Sequence, residues 1–197
     1  MEPFRKLEAV AAPLLRINID TDAIAPSREL KAVSKTGMGA GLFANWRYLD
    51  PKTRTPNPDF ILNRPAYRNT QILLAGANFG CGSSREYAVW ALKEYGIRAI
   101  IAPSFGSIFY NNCIRNGLLP IRLDEKRIRQ LAEQVAADPQ ANRIAIDLES
   151  CTLRGPDGET DRFAIADQDH RMLLDGLDPI GLTLTRQDEI AAFEGRD

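Results

Sequence analysis

Gln71-Ile72-Leu73-Leu74-Ala75-Gly76-Ala77-Asn78-Phe79-Gly80-Cys81-Gly82-Ser83-Ser84-Arg85-Glu86 is the stretch on which the fold turns. It opens as a short apolar run, passes through a loop with glycines at 76, 80 and 82, and continues into residues 84–95, where apolar side chains recur at helical spacing until Gly96. A buried strand feeding a helix through a glycine-rich turn is the first half of an α/β unit. The chain then repeats it: 98–102 reads as a strand, a helix through Ile108, Phe109 and Cys113 ends near Asn116-Gly117, and 118–123 reads as a third strand. Asp124 is placed to cap a charged amphipathic helix over 124–137, broken at Asp138-Pro139, whose charges are expected to form a solvated face.

Outward from that centre the pattern loosens. Leu14, Leu15, Ile17 and Ile19 make 13–20 a strand candidate that closes in a polar turn, Asn18-Ile19-Asp20-Thr21-Asp22. Gly37, Gly39 and Gly41 precede a short helix candidate at 42–48, and Pro51, Pro56, Pro58 and Pro65 make the next stretch irregular, so 37–70 is expected to be the mobile segment. Toward the C-terminus, 144–146, 151–153 and 163–165 read as short strands, the last two joined around Gly155-Pro156-Asp157-Gly158, and a helix over 169–174 stops at Asp175-Gly176. Strands, then alternating strand and helix, then more strands predict an α/β fold. The expected architecture is one domain over 1–197, with a mixed sheet or partial barrel flanked by helices.

The 25 basic residues balance 26 acidic ones, so no net field favours nucleic acid or an anionic membrane. No apolar run approaches the roughly 18 residues of a membrane span, and a cytoplasmic location is expected. Cys81, Cys113 and Cys151 are far apart, odd in number and include no Cys-x-x-Cys pair, which predicts neither a metal site on this chain nor a disulfide framework.

The glycine-rich loop suits an anion. It precedes a helix whose first N–H groups lack partners and whose dipole is positive there, and Arg85 offers the planar two-bond fork that a carboxylate takes. The glycines run Gly-x-x-x-Gly-x-Gly with no Lys-Ser or Lys-Thr after them, which matches neither the dinucleotide fingerprint nor the phosphate loop. A second reading stands beside this one. Ser83 followed three residues later by Glu86 has the form of a capping box, which would commit the serine to a backbone N–H and stabilise the helix by about 1 kcal/mol.

The run from Asn78 to Glu86 resembles the signature of the small subunits of 3-isopropylmalate dehydratase, in the aconitase superfamily. Further segments look like that family's in the same order: Asn18 to Pro26, Gly41 to Tyr48, Asn57 to Asn63, Ser104 to Cys113, Asn116 to Ile121 and Leu174 to Leu184. The resemblance implies a swivelling β/β/α domain that docks on a larger subunit carrying a [4Fe–4S] cluster, with no cofactor bound by this chain alone. It implies a hydro-lyase that interconverts 2-isopropylmalate and 3-isopropylmalate in leucine biosynthesis, with Ser83 as the base that takes a proton from carbon. By the same resemblance Arg85 is catalytic, Ser84 and Asp22 lie beside the substrate, and Arg47, in the 37–70 recognition segment, is a second carboxylate-binding arginine. An open iron on the partner would activate the leaving hydroxyl.

Two departures bear on substrate. Tyr87 stands where the family usually has histidine, and Gly106-Ser107 replaces a usual Ala-Asp. The alternatives are therefore a related hydro-lyase acting on a citraconate, methylmalate, dimethylmalate or homoaconitate type of acid, or a non-catalytic carboxylate-binding module. His170, the sole histidine, is expected to be structural, which excludes a Ser-His-Asp hydrolase on this chain. Cys81 is expected to serve loop packing, and Trp46 and Tyr48 suit either a pocket wall or the core.

Overall fold

In a computed structural model the chain is described over residues 1–29, 37–50, 52–83, 85–184 and 187, and the expectations placed on Pro51 and Ser84 lie outside that set. In chain order the elements are β1 (Lys6–Leu14), α1 (Thr21–Ile24), α2 (Ala44–Arg47), β2 (Tyr48–Asp50), β3 (Thr55–Pro56), β4 (Thr70–Ala75), α3 (Glu86–Tyr95), β5 (Ala99–Ala102), α4 (Ser107–Asn116), β6 (Leu119–Arg122), α5 (Glu125–Ala137), β7 (Ile144–Asp147), β8 (Thr152–Arg154), β9 (Thr160–Arg162), α6 (Asp167–Asp175) and α7 (Pro179–Leu184).

Seven strands form one mixed sheet in the order β6-β5-β4-β1-β7-β8-β9. The β1, β4, β5 and β6 strands run parallel, while β7, β8 and β9 continue from β1 antiparallel. The α/β expectation with a mixed, helix-flanked sheet therefore holds. Successive strand residues point to opposite faces, and both faces are covered. Leu73, Ala75, Ile100 and Ala102 enter one core with Val89 and Leu92 of α3. Ile72, Leu74, Ala99 and Ile101 enter the other with Ile128, Leu131 and Val135 of α5. Burial on both sides is why these strands read as unbroken apolar runs rather than as alternation.

Boundaries moved where tertiary pairing outweighed local pattern. The first strand lies over Lys6–Leu14, not 13–20, because Lys6 to Ala9 pair with β7 and Val10 to Leu14 with β4, leaving Leu15 to Ile19 as its exit loop. The last strand of the hairpin is Thr160–Arg162 rather than 163–165, set by the register of Thr160 opposite Arg154. Segment 37–70 is built from short 3-10 turns, α2 and the β2–β3 hairpin. Glu94 at the end of α3 binds it by accepting the Gly37 and Gly39 N–H groups at 2.6 and 2.7 Å, and these amides hold the Glu94 carboxyl below its usual range.

The expectation of a wholly solvated α5 face is corrected at Arg127, which is buried. Its guanidinium binds both Asp157 oxygens at 2.6 and 3.1 Å and Asp161 at 2.8 Å, riveting α5 to the β8–β9 hairpin. Arg127→Met leaves these carboxylates uncompensated and is expected to cost roughly 2–3 kcal/mol, below the range for fully buried pairs because both acids retain some solvent. Hydrogen bonding to Arg127 first, and to Gln134, holds the Asp157 carboxyl well below the ordinary carboxylate range. As pH falls, the unfolded chain protonates this group first, near its unperturbed value of about 3.9, so the pair's stabilisation is complete above that pH and drains away below it. Urea midpoints followed from pH 6 to pH 2.5 are expected to fall less steeply in Asp157→Asn than in the parent; parallel slopes would remove the rivet from the acid response.

Candidate active site

The candidate site sits where β1, β4 and β5 deliver their carboxyl ends side by side. Three exit loops meet there and lock together through backbone. The Asn18 N–H donates to the Ala77 carbonyl at 2.9 Å, and the Phe79 N–H donates to the Ser104 carbonyl at 3.0 Å. Asn78 links its two neighbours: its side-chain amide donates to the Asn18 oxygen and its backbone N–H to the Ser104 hydroxyl, each at 2.8 Å. Both asparagines are left-handed, at φ 54° and 59°, a conformation asparagine tolerates better than most side chains. Sequence reading passed over Asn18, Asn78 and Ser104 as linkers, although paired asparagines at tight turns were a usable signal.

An added Cβ would meet close neighbours at Gly76, Gly80 and Gly106 of this junction, and on Gly76 it would lie 2.5 Å from the Arg16 carbonyl oxygen. Gly80 has φ +73°, and a Cβ there would lie 2.1 Å from Cγ of Phe109, whose ring fills the space beneath the loop. A Cβ on Gly106 would lie 2.6 Å from the Gly80 carbonyl oxygen. The departure at Gly106 thus falls where the α4 start presses against the loop.

Asp20, Thr21 and Asp22 have three different tasks. Asp20 caps α1, its Oδ1 accepting the Ala23 N–H at 2.7 Å. Thr21 is buried and turned inward, donating its hydroxyl to the Ser83 carbonyl at 3.0 Å while its N–H reaches the Cys81 carbonyl. Asp22 is exposed and pairs with Nη1 of Arg85. The hydroxyl of Ser27 completes this group, accepting from the same Nη1 at 3.2 Å and donating to Asp22 at 3.3 Å. Ser27 lies 58 residues from Arg85, and nothing local in sequence marks it.

Ser83 is exposed, and no described residue hydrogen-bonds its hydroxyl. The capping box does not form. The helix begins at Glu86, its N-cap is Arg85, and the Arg85 side chain makes no cap hydrogen bond. Glu86 instead accepts from the Asn116 amide at 2.8 Å, and Asn116 in turn accepts the Trp90 indole N–H at 3.0 Å. The Ser83 carbonyl, not its hydroxyl, takes the local bond, from the Arg85 N–H at 2.8 Å. Arg85 spends only Nη1; its Nη2 and Nε have no partner among the described residues, so one edge of the fork stays open beside the orphan amides of α3. The result is an anion seat with an unengaged hydroxyl next to it.

Arg47 makes no hydrogen bond to Asp22, Ser27 or Arg85. Its Nη1 donates to the Gly39 carbonyl at 2.9 Å, and its guanidinium lies 4.8 Å from the ring centre of Tyr95, the last residue of α3. Arg85 precedes the first residue of that helix, and ten residues at about 1.5 Å rise put roughly 15 Å between the two ends. Tyr87 packs edge-on against Trp90 with ring centres 5.0 Å apart. Trp46 stacks on Phe43 at 5.6 Å and carries Arg16 over its face at 4.7 Å, so it is packed aromatic wall rather than free surface. His170 is tied to the Leu148 carbonyl at 2.7 Å, in agreement with a structural role.

Cys113 is fully buried, and burial pushes its thiol well above the usual range. Among the described residues no group of three His, Cys, Asp or Glu side chains is placed to hold a metal ion. These residues do not fit an iron–sulfur cluster. No helix of the described chain is long and apolar enough to cross a membrane. Two clefts on the surface, one against β1, β7, β8 and β9 and one between residues 62–70 and Tyr95, are lined by neither Ser83 nor Arg85.

A mixed sheet whose parallel strands end in a glycine-rich anion seat, with serine and arginine at a helix mouth, is the architecture of the aconitase C-terminal domain class, and that family's model matches residues 1–126. A second family model, described as LeuD_N, matches 129–167. The chain belongs to the 3-isopropylmalate dehydratase small-subunit family. It is 56% identical to the 3-isopropylmalate dehydratase small subunit of Cupriavidus necator, over 100% of this chain and 95% of that one. It is 52% identical to the protein of the same name from Neisseria meningitidis serogroup A, over 98% and 94%. A solved structure of 3-isopropylmalate dehydratase from Methanocaldococcus jannaschii superposes with a TM-score of 0.64 at 26% identity, covering 96% of this chain and 99% of that one.

Proposed function

We propose that this chain is the small subunit of a hydro-lyase that interconverts 2-isopropylmalate and 3-isopropylmalate by dehydration and rehydration, a step of leucine biosynthesis, and that it works with a large subunit that ligates a [4Fe–4S] cluster outside this chain. The observation that carries the reading is the Ser83 hydroxyl, exposed and bonded to no described residue, beside Arg85 at the mouth of α3. Full-length similarity to proteins of that name supports the substrate over the citraconate, methylmalate, dimethylmalate and homoaconitate alternatives.

In this reading Ser83 removes the proton from the carbon next to a carboxylate. That proton is weakly acidic, so the reaction needs charge stabilised on the carboxylate as it leaves. Arg85 and the first amides of α3 supply donors there, and the same donors favour the alkoxide form of Ser83. Asp22 and Ser27 hold Nη1 of Arg85, which turns the remaining guanidinium edge toward the ligand. Ser84 contacts substrate. A cytoplasmic location accords with a biosynthetic enzyme.

The test is to combine the purified chain anaerobically with the large subunit and assay a panel of small hydroxy diacids. Dehydration of 3-isopropylmalate above all others is expected; preference for another diacid would reassign the substrate, and diacid binding by the chain alone with no activity conferred would favour a binding module. Arg85→Lys, which keeps the charge but loses the planar fork, is expected to lower kcat/KM about 10- to 100-fold, as for loss of a charge-assisted bond of roughly 1.5–3 kcal/mol. Unchanged kcat/KM would remove Arg85 from substrate contact.

A further inference from the structure

We infer that Asn116 is a positioning residue for the reaction: it holds the Glu86 carboxylate away from the mouth of α3, and so keeps a capping box between Ser83 and Glu86 from closing over the site. The inference rests on the reading of Ser83 and Arg85 as the acting groups and adds the device that leaves them available. Asn116 is the last residue of α4, which ends at left-handed Gly117, φ 73°. Its amide is fully engaged. Nδ2 donates to Oε1 of Glu86 at 2.8 Å and to the Asn112 carbonyl at 2.9 Å, while Oδ1 accepts the Trp90 indole N–H at 3.0 Å. The Asn116 carbonyl also accepts from the Lys93 ammonium. Glu86, Trp90 and Lys93 follow one another at four and three residues, so all three lie along one face of α3. Because an indole N–H can only donate, the Asn116 oxygen must face Trp90, which turns its NH2 to Glu86. One amide therefore bonds side chains from the first residue of α3 and from the next turn. The Glu86 carboxylate is drawn toward Trp90, whose Cα lies about 6 Å farther along the axis at 1.5 Å per residue.

Released from Asn116, Glu86 has a partner close at hand. In a capping box the serine hydroxyl accepts the glutamate N–H, and the glutamate side chain reaches back to the serine N–H. Ser83 can answer on both counts, because neither its hydroxyl nor its N–H is bonded to a described residue. Closing the box would extend α3 backward through Arg85. That residue is now extended, at φ −95° and ψ 106°, and from this conformation its guanidinium reaches Asp22 and Ser27. A helical Arg85 would turn away from both. The Ser83 hydroxyl would be committed to an amide, and a carboxylate of the chain's own would stand at the anion seat in place of the substrate's. The local sequence thus favours an arrangement that closes the site, and a residue 30 positions away opposes it.

The experiment compares the parent with Asn116→Ala, Asn116→Asp, Glu86→Ala and the double variant Asn116→Ala/Glu86→Ala. Amide exchange by NMR and melting temperature are read on the full chain, and 3-isopropylmalate turnover on the pair with the large subunit. Asn116→Ala is expected to slow exchange of the Ser83 N–H and to lower kcat/KM about 3- to 30-fold, the share of chains that a cap of ordinary strength can divert. Asn116→Asp keeps an acceptor for Trp90 but has no donor for Glu86, and is expected to act alike with a smaller fall in melting temperature. Removing Glu86 as well is the deciding step. The double variant is expected to regain kcat/KM to within about twofold of Glu86→Ala, because the two residues act through one contact. Its melting temperature should stay low, since the Trp90 indole still lacks its acceptor. If Asn116 only clamped α3 to α4, turnover would follow melting temperature in every variant and loss of Glu86 would restore nothing. That pattern would overturn the inference, as would unchanged Ser83 exchange in both Asn116 variants, or slowed exchange with kcat/KM at the parent value. Slowed exchange in the variants of a parent pair that turns over no isopropylmalate would uphold the device and sink the substrate.

Discussion

Ser83→Ala is expected to lower turnover of the reconstituted pair about 10²- to 10⁴-fold while leaving assembly and folding stability intact, the range for removing a positioned proton-transfer group. The stability half of this expectation comes from geometry. The Ser83 hydroxyl is exposed and bonds to no described residue, so its removal strands no partner and opens no cavity. A change within about 0.5 kcal/mol is what such a surface deletion costs. The two readings of Ser83 therefore predict opposite outcomes. A helix cap would lose about 1 kcal/mol of stability and keep its turnover; a proton acceptor keeps its stability and loses turnover. Single-turnover rates and urea midpoints on the same preparation separate them, and full activity in the alanine variant would end the assignment of Ser83 as base.

Gly80→Ala is expected to be the most damaging conservative change in the loop. The added methyl would lie 2.1 Å from Cγ of Phe109 at a residue with φ +73°. Overpacking of a filled core costs about 1–3 kcal/mol, and a left-handed alanine adds roughly 1–2 kcal/mol. A combined loss of about 2–5 kcal/mol corresponds to a fall of roughly 5–15 °C in Tm for a chain of this size. The loop would be pushed off the Phe109 ring, carrying Ser83 with it, so the folded fraction should lose turnover as well. Phe109→Leu in the same chain removes the ring and is expected to restore part of the Tm, as two residues in contact should not act additively. A Tm within about 2 °C of the parent in Gly80→Ala alone, against the fall expected from overpacking, would show that the loop does not rest on Phe109 as described.

Much of the central unit was legible in sequence because its signals are local. The apolar runs at 72–75 and 99–102, the stops of α3, α4 and α6 at Gly96, Gly117 and Gly176, and the Asp124 cap each depend on residues within one or two turns. Where sequence reading missed, a distant partner had the deciding vote. The first strand slid back to Lys6 because β7, far along the chain, pairs with its first half. Arg127, read as part of a solvated face, was drawn inward by Asp157 and Asp161. Ser83 and Glu86 have capping-box spacing, yet Asn116 claims the Glu86 carboxylate.

The same division runs through the site. Sequence alone determined the order of strands and helices from β4 through α5, the glycine-rich approach to α3, and the presence of serine and arginine at that helix mouth, because chain connectivity puts those groups within a few residues of one another. Only the tertiary structure decided that Asp22 and Ser27 hold Arg85 and that Arg47 lies by Tyr95 at the opposite end of α3. Such contacts join residues separated by tens of positions, and their geometry is set by strand order and helix packing, which no local pattern encodes.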